Sequence, residues 1–186
     1  MSQITKDDHS PDITDLVRNA ISGDVPAFEQ LYEIYGKRVI YYLRKFLYNP
    51  EDAYEIAQEV WISAYVKLPG LRDPAAFRPW IFTMARNRAV DFLRARKTEI
   101  RETDEIIEAA GNTEPSFEID HSNIDLVHRA LDRLSKAHRE VTILYFFEGL
   151  SIKELAGIIG ISEGTVKSRL FHARSNLRLI LERLGK

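Results

Sequence analysis

Seven bases (Arg72, Arg78, Arg86, Arg88, Arg94, Arg96 and Lys97) stand against two acids, Asp73 and Asp91, between positions 72 and 97, with Phe77, Trp80 and Phe92 set among them. Charges of this sign track phosphates, and a flat ring or small pocket receives an unstacked base, so the pattern suits single-stranded nucleic acid. Read as a helix, the stretch places Ile81, Ala85, Ala89 and Phe92 on one face. Thr83, Arg86, Asn87, Arg94 and Lys97 lie on the other, with Trp80 at its edge. Taken singly, Phe77 and Trp80 are read more simply as core; the basic face as a whole favours nucleic acid.

A second binding pattern occupies residues 151–174. Ser151 followed by Glu154 is a capping box, and Leu155, Ala156 and Ile159 form the buried side of a short helix that Gly160 breaks. Ser162 is placed to cap the next helix, in which Val166, Leu170, Ala173 and Leu177 share one face. Gly164, Lys167, Ser168, Phe171, His172 and Ser175 occupy the opposite face, flanked by Arg169 and Arg174. A buried stripe backed by small, polar and basic residues suits a helix that enters the major groove, where acids would repel the phosphates.

Catalytic patterns are missing. The chain has no glycine-rich phosphate loop, no metalloprotease histidine pair and no serine–histidine–acid arrangement. With no cysteine it has no disulfide, thiolate metal site or cysteine nucleophile. His121, Asp125, His128 and Asp132 recur at metal-ligand spacing, but such a row is read more simply as a solvated face. A non-enzymatic binding protein without metal or cofactor is expected.

These surfaces need elements to carry them. Helical spacing begins after a polar tail at 1–10 and gives a first helix through Ile13, Leu16, Val17, Ala20 and Ile21, stopped at Gly23-Asp24. A long second helix carries Ala27, Phe28, Leu31, Ile34, Tyr35, Val39, Tyr42, Leu43, Phe46 and Leu47. A third follows Asn49-Pro50 and buries Ala53, Ile56, Ala57, Val60, Trp61, Ala64 and Leu68. Residues 69–74 are a loop by composition. Residues 98–122 are acidic and lose the helical period, which predicts a flexible linker; helix resumes near Asn123. The formal charge of −2 divides into +1 over residues 1–97, −7 over 98–122 and +4 over 123–186. The expectation is an all-α chain: tail 1–10, a helical domain 11–97, an acidic linker 98–122 and a helix-turn-helix domain 123–186. The polar, acidic first twenty residues predict no signal peptide, and no apolar run approaches a membrane span. A cytoplasmic location without membrane insertion is expected.

These motifs, in this order, resemble the short extracytoplasmic-function group of bacterial RNA polymerase sigma factors. Gly23-Asp24, Ala27-Phe28, Leu31-Tyr32 and Tyr35 resemble the opening of sigma domain two. The run from Asp52 through Trp61 resembles the segment that binds the polymerase clamp, which implies that role for Asp52, Glu55, Gln58, Glu59 and Trp61. Phe77 and Trp80 with Ala85-Arg86-Asn87 and Asp91 resemble the promoter-melting segment. This implies −10 contacts from Leu71, Arg72, Ala75, Phe77, Arg78, Trp80, Thr83, Arg86, Asn87 and Arg94, with the base pocket at Asn87 and the loop 71–75. Glu148-Gly149-Leu150-Ser151 and Gly164 through Leu170, with Ala173-Arg174, resemble the −35-reading helix-turn-helix of domain four. It implies −35 contacts from Glu163, Gly164, Thr165, Lys167, Ser168, Arg169, Phe171, His172 and Arg174. The resemblance further implies core polymerase, through clamp and flap, promoter DNA and an anti-sigma factor as partners. The chain departs from the pattern in three places: at Tyr54-Glu55 in the clamp segment, at Ser135 where proline is common, and at His172 where arginine is frequent. A free-standing regulator with a LuxR-like C-terminal helix-turn-helix is the alternative, and a sequestering partner protein a third; a sensor domain needs no basic, aromatic-edged helix at 80–97, and a sequestering protein needs no intact DNA-binding helix.

Overall fold

The computed structural model describes residues 12–47, 49–102 and 123–184. The tail at 1–10 and all of the expected linker beyond Glu102 lie outside them. Among the described residues the architecture is all-α.

The first four helices form one layered unit. Asp12 caps α1 (Ile13–Ile21) by accepting from the Thr14 N–H at 2.9 Å. A turn through Gly23, at φ +94°, reverses the chain. Asp24 then caps α2 (Val25–Phe46), whose first turn carries Pro26. Along α2 the apolar residues return every three or four positions, and Leu31, Tyr35, Val39, Tyr42, Leu43 and Phe46 are all buried. Asn49 caps α3 (Pro50–Lys67), with Glu51 and Asp52 in its first turn, where the helix dipole favours acids. Two single 3₁₀ turns, Leu68–Gly70 and Pro74–Ala76, carry the chain over the end of the bundle into α4 (Phe77–Glu102). Pro79 sits in the first turn of α4, where its missing N–H has no intrahelical partner to lose. The helix runs past Lys97, so its last residues continue into the segment expected as linker.

The second unit begins at α5 (Asn123–Asp132) and α6 (Lys136–Thr142). Ser135 is the N-cap of α6, and its hydroxyl accepts from the His138 N–H. That explains why a serine serves where the resemblance led to proline. The chain then widens into one π turn, Ile143–Phe147. Ile143 and Leu144 are buried, while Tyr145, Phe146 and Phe147 turn outward. Gly149, at φ +63°, leads into α7 (Ile152–Ile159). The capping box at its start is complete: the Ser151 hydroxyl accepts from the Glu154 N–H, and a Glu154 oxygen accepts from the Ser151 N–H at 2.7 Å. Gly160 closes the helix in the left-handed conformation at φ +74°. Ser162 caps α8 (Glu163–Leu184) through the Thr165 N–H at 3.1 Å. Val166 and Ala173 of α8 are buried with Leu155 and Ile159 of α7, which makes the helix-turn-helix.

The two units touch directly. Their buried apolar residues form one continuous cluster that runs from α1 to α8. α2 packs on α6, and α4 packs on α7.

The capping box gives a stability test with a definite sign. Partial burial pushes the Glu154 carboxyl up, but the Ser151 side-chain and backbone bonds and the nearby Arg78 charge outweigh it and hold it below its usual 4.5. A lowered folded-state value means that the ionised form stabilises the fold above pH 4.5, and that this contribution is lost as pH falls through the folded-state value. Ser151→Ala should lower unfolding stability by about 1 kcal/mol near neutral pH. For Glu154→Gln the deficit against the native chain should shrink steadily as denaturant titrations are repeated below pH 4.5.

Candidate nucleic-acid interface

The second helix of the helix-turn-helix presents its polar face to solvent. Glu163, Gly164, Thr165, Lys167, Ser168, Phe171, His172 and Arg174 are exposed, and Arg169 is half-buried. Phe171 is 69% exposed, far more than a ring needs for packing, and its edge meets His172 at 5.4 Å. His172 in turn stacks beside His138 of α6 at 6.4 Å. Lys167, Arg169 and Arg174 make no ion pair among the described residues, so their charge is available to phosphates. The Thr165 hydroxyl is 2.8 Å from that of Ser162 and belongs to the cap as much as to the outer face.

The basic face of α4 is divided. Arg72, Ala75, Asn87 and Arg94 are exposed, and Leu71, Arg78, Trp80 and Thr83 are half-buried. Thr83 donates back to the Pro79 carbonyl at 2.7 Å. Phe77, expected among the −10 contacts, is 1% exposed and cannot reach DNA. It packs edge-on against Tyr35 and supports Trp80, with ring centres 5.9 Å apart. Its position at the first residue of α4 turns it inward, toward α2. Arg86 is not free: its Nε donates to Glu140 Oε1 at 2.8 Å.

On α3, Glu55 and Gln58 are exposed as expected. Asp52 is instead paired with Arg96 at 2.7 Å, and Glu59 lies 3.7 Å from Arg88, so α4 bases meet two of the acids. Trp61 is 6% exposed, packed edge-on by Phe28 and Tyr32, and it serves the packing beneath the face rather than the face itself. What the sequence reading missed are Tyr54, Ile62, Tyr65 and Val66, all exposed on α3. Their signal was present: Tyr54, Gln58, Ile62 and Val66 recur every four residues, a second stripe on a helix whose buried stripe is already complete.

The histidine–aspartate row of α5 is also corrected. His128 is half-buried, its Nδ1 2.8 Å from the Tyr41 hydroxyl, while Asp132 stays exposed as expected and binds Lys45 Nζ at 2.6 Å. His121 lies outside the described residues.

Comparison with known proteins matches residues 31–99 to Sigma-70 region 2 and residues 124–177 to Sigma-70, region 4. The chain is 31% identical to the ECF RNA polymerase sigma factor SigL of Mycobacterium tuberculosis, over 91% of this chain and 97% of that one. It is 30% identical to the RNA polymerase sigma-H factor of Pseudomonas aeruginosa, over 91% of this chain and 93% of that one. The chain belongs to the extracytoplasmic-function sigma factors. Like other sigma factors it is a non-catalytic subunit that binds core RNA polymerase and directs it to promoters. Among solved structures it is similar to the sigma factor RpoE of Bartonella quintana, captured with the anti-sigma factor NepR. That match has a TM-score of 0.72 and 25% identity, and covers 85% of this chain and 98% of that one. Regions 2 and 4 in this order leave the LuxR-like regulator unfavoured. No helix among the described residues is long and apolar enough to cross a membrane.

If the unpaired charges on the outer face of α8 meet DNA, binding of −35 duplex should depend strongly on salt. Removing one phosphate-binding base should flatten the log–log salt slope by about 0.9. Lys167→Ala, titrated against duplex at several salt concentrations, should show that change and leave the fold intact.

Proposed function

We propose that the exposed faces of α3, α4 and α8 divide the work of initiation, on domains that follow the boundaries 11–97 and 123–186. The observation that carries the reading is the α8 face, exposed and rich in unpaired bases, joined in one chain to the basic α4. In this reading Gly164, Lys167, Ser168, Phe171, His172 and Arg174 enter the −35 major groove. Small residues let the backbone approach, while Lys167 and Arg174 meet phosphates or base edges. Trp80, Thr83, Asn87 and the loop 71–75 take the displaced single strand at −10, and Arg72, Arg78, Arg86 and Arg94 hold its backbone. Capture of an unstacked base offsets an unstacking cost of a few kcal/mol.

Glu55 and Gln58, with Tyr54, Ile62, Tyr65 and Val66, form the clamp-binding face, a mixed apolar and acidic patch of the kind that marks a protein contact. Region 4 contributes the flap contact. Each DNA element alone is held weakly; joined on polymerase, the second contact becomes intramolecular and avidity rises by ~10²–10⁴. The protein acts in the cytoplasm, where polymerase and chromosome are. The NepR-bound relative supports an anti-sigma factor as antagonist of this chain too.

The deciding experiment is transcription in vitro from a genomic fragment library with core polymerase, with and without this protein. New transcripts that share −35 and −10 elements support the reading; core binding without transcripts, or neither, overturns it. On the promoters recovered, Asn87→Ala should weaken discrimination at one −10 base and leave polymerase affinity unchanged; equal loss of both refutes the pocket. Glu55→Lys combined with Ile62→Glu should abolish core binding while −35 duplex is still bound. Asp52 is the poorer choice for that test, because its ion pair with Arg96 ties it to the fold.

A further inference from the structure

Within the second domain α6 packs on α8, and each helix brings a histidine to the same edge. The rings of His138 and His172 face one another, with centres 6.4 Å apart and planes 28° from parallel, in the range of an offset stack. His172 is exposed and takes the edge of Phe171 at 5.4 Å. His138 is half-buried, and its backbone is fixed on both sides. Its N–H donates to the Ser135 hydroxyl that caps α6, and its carbonyl accepts from the Thr142 hydroxyl at 2.7 Å. Among the described residues neither imidazole pairs with a carboxylate. Asp132 is held by Lys45, Glu140 by Arg86, Glu148 by Arg38, Glu154 by Ser151 and Glu182 by Arg178. Glu163 lies nine positions before His172, more than two turns away. α7 carries charge only in its first turn, on Lys153 and Glu154. Lys136 and Arg139 of α6 are engaged with the Phe46 ring and with the carbonyls of Leu131, Asp132 and Leu134. The charged groups that come near the pair are cations. Arg133 and Arg183 line a groove with His138, and Arg169 stands one turn before His172.

We propose that the two histidines form a proton-linked DNA contact, in which His172 takes up a proton on binding duplex and meets a phosphate as imidazolium, and His138 is the positioning residue that holds its ring. The proposal rests on the reading that the outer face of α8 enters the −35 groove. The protein itself offers an imidazolium here no anion, whereas duplex DNA presents a row of them. The proton comes from solvent and adds to the unprotonated ring nitrogen, so that both nitrogens become donors. Two positive charges at this separation repel, so the pair takes up one proton and the neutral ring of His138 braces the charged one. An anion present only in the complex favours the charged ring there, so protonation and binding strengthen one another. The sign follows. The gain in affinity is full at pH values below the free imidazole's titration and is lost as pH rises through that of the complex. Occupancy of the −35 element then rises as the surrounding pH falls.

The test is binding of the full chain to a labelled pool of random-sequence duplex at low ionic strength, followed across pH, since a phosphate contact needs no particular sequence. The native chain should bind about tenfold more tightly at about pH 6 than at about pH 8, and His172→Gln should lose most of that rise. His172→Arg, charged at every pH, should hold the low-pH affinity throughout. His138→Ala should shrink the rise and leave the affinity at high pH unchanged. His138→Phe, which keeps a flat ring against His172, should restore it. A histidine with only a packing role would lower affinity by the same factor at every pH. A native chain without the rise, or a rise that His172→Gln keeps, overturns the proton link. An unaltered profile in His138→Ala overturns the positioning role. Failure of the α8 reading looks different: Lys167→Ala would then leave duplex binding unchanged at every pH, and the proposal falls with it.

Discussion

A carboxylate taken out of water must be met by opposite charge or by hydrogen-bond donors, and Glu140 is met by both from another domain. Tyr42 and Arg86 reach it from α2 and α4. An isolated ion at this depth would cost several kcal/mol, so the seating of α6 on the first domain is tied to this one group. Burial and the adjacent anion push the Tyr42 hydroxyl well above its ordinary range, so it remains a donor at any physiological pH. The flanking contacts follow from that seating. Tyr41 is brought over His128 and Phe147, Lys136 over the Phe46 ring at 3.9 Å, and Arg38 beside Glu148.

Buried ion pairs contribute little net stability, because desolvation offsets most of the attraction, but they discriminate sharply between arrangements. An apolar contact between the same helices would hold them more firmly and less selectively. Arg86 meets the Glu140 carboxylate through Nε, and the planar fork of a guanidinium is a geometry that carboxylate and phosphate oxygens both fit.

Much of this was legible in the sequence. Caps, glycine turns and apolar periods located the helices, because each rests on local chemistry within a few residues. Ser151, Glu154, Gly160 and Ser162 behave as their spacing required. The α8 outer face was also legible, since a helix with one buried stripe has a defined opposite side. What escaped was long-range. Phe77 read as core on its own and is core; the resemblance carried it to the −10 contacts, and nothing near it names Tyr35 as the ring it meets. His128 read as solvated because its partner, Tyr41, lies eighty-seven positions away, and nothing near the exposed Asp132 points to Lys45 at the same separation. The second stripe on α3 was hidden for another reason: an apolar residue on a helix is assigned to the core by default, and only burial separates Ile62 from Ile56.

The π turn at Ile143–Phe147 holds one more residue than an α-helical turn would need. That single peptide unit sets the rotational phase of everything after it. Glu148, Gly149 and the whole helix-turn-helix are placed around the α6 axis by it, roughly 100° from where an unbroken α-helix of the same sequence would put them. Three aromatic residues in succession, Tyr145, Phe146 and Phe147, face outward on it. The direction in which this protein points the outer face of α8 is thus written in the length of one turn. Change that length by a residue and every side chain of that face could be kept while its aim is lost.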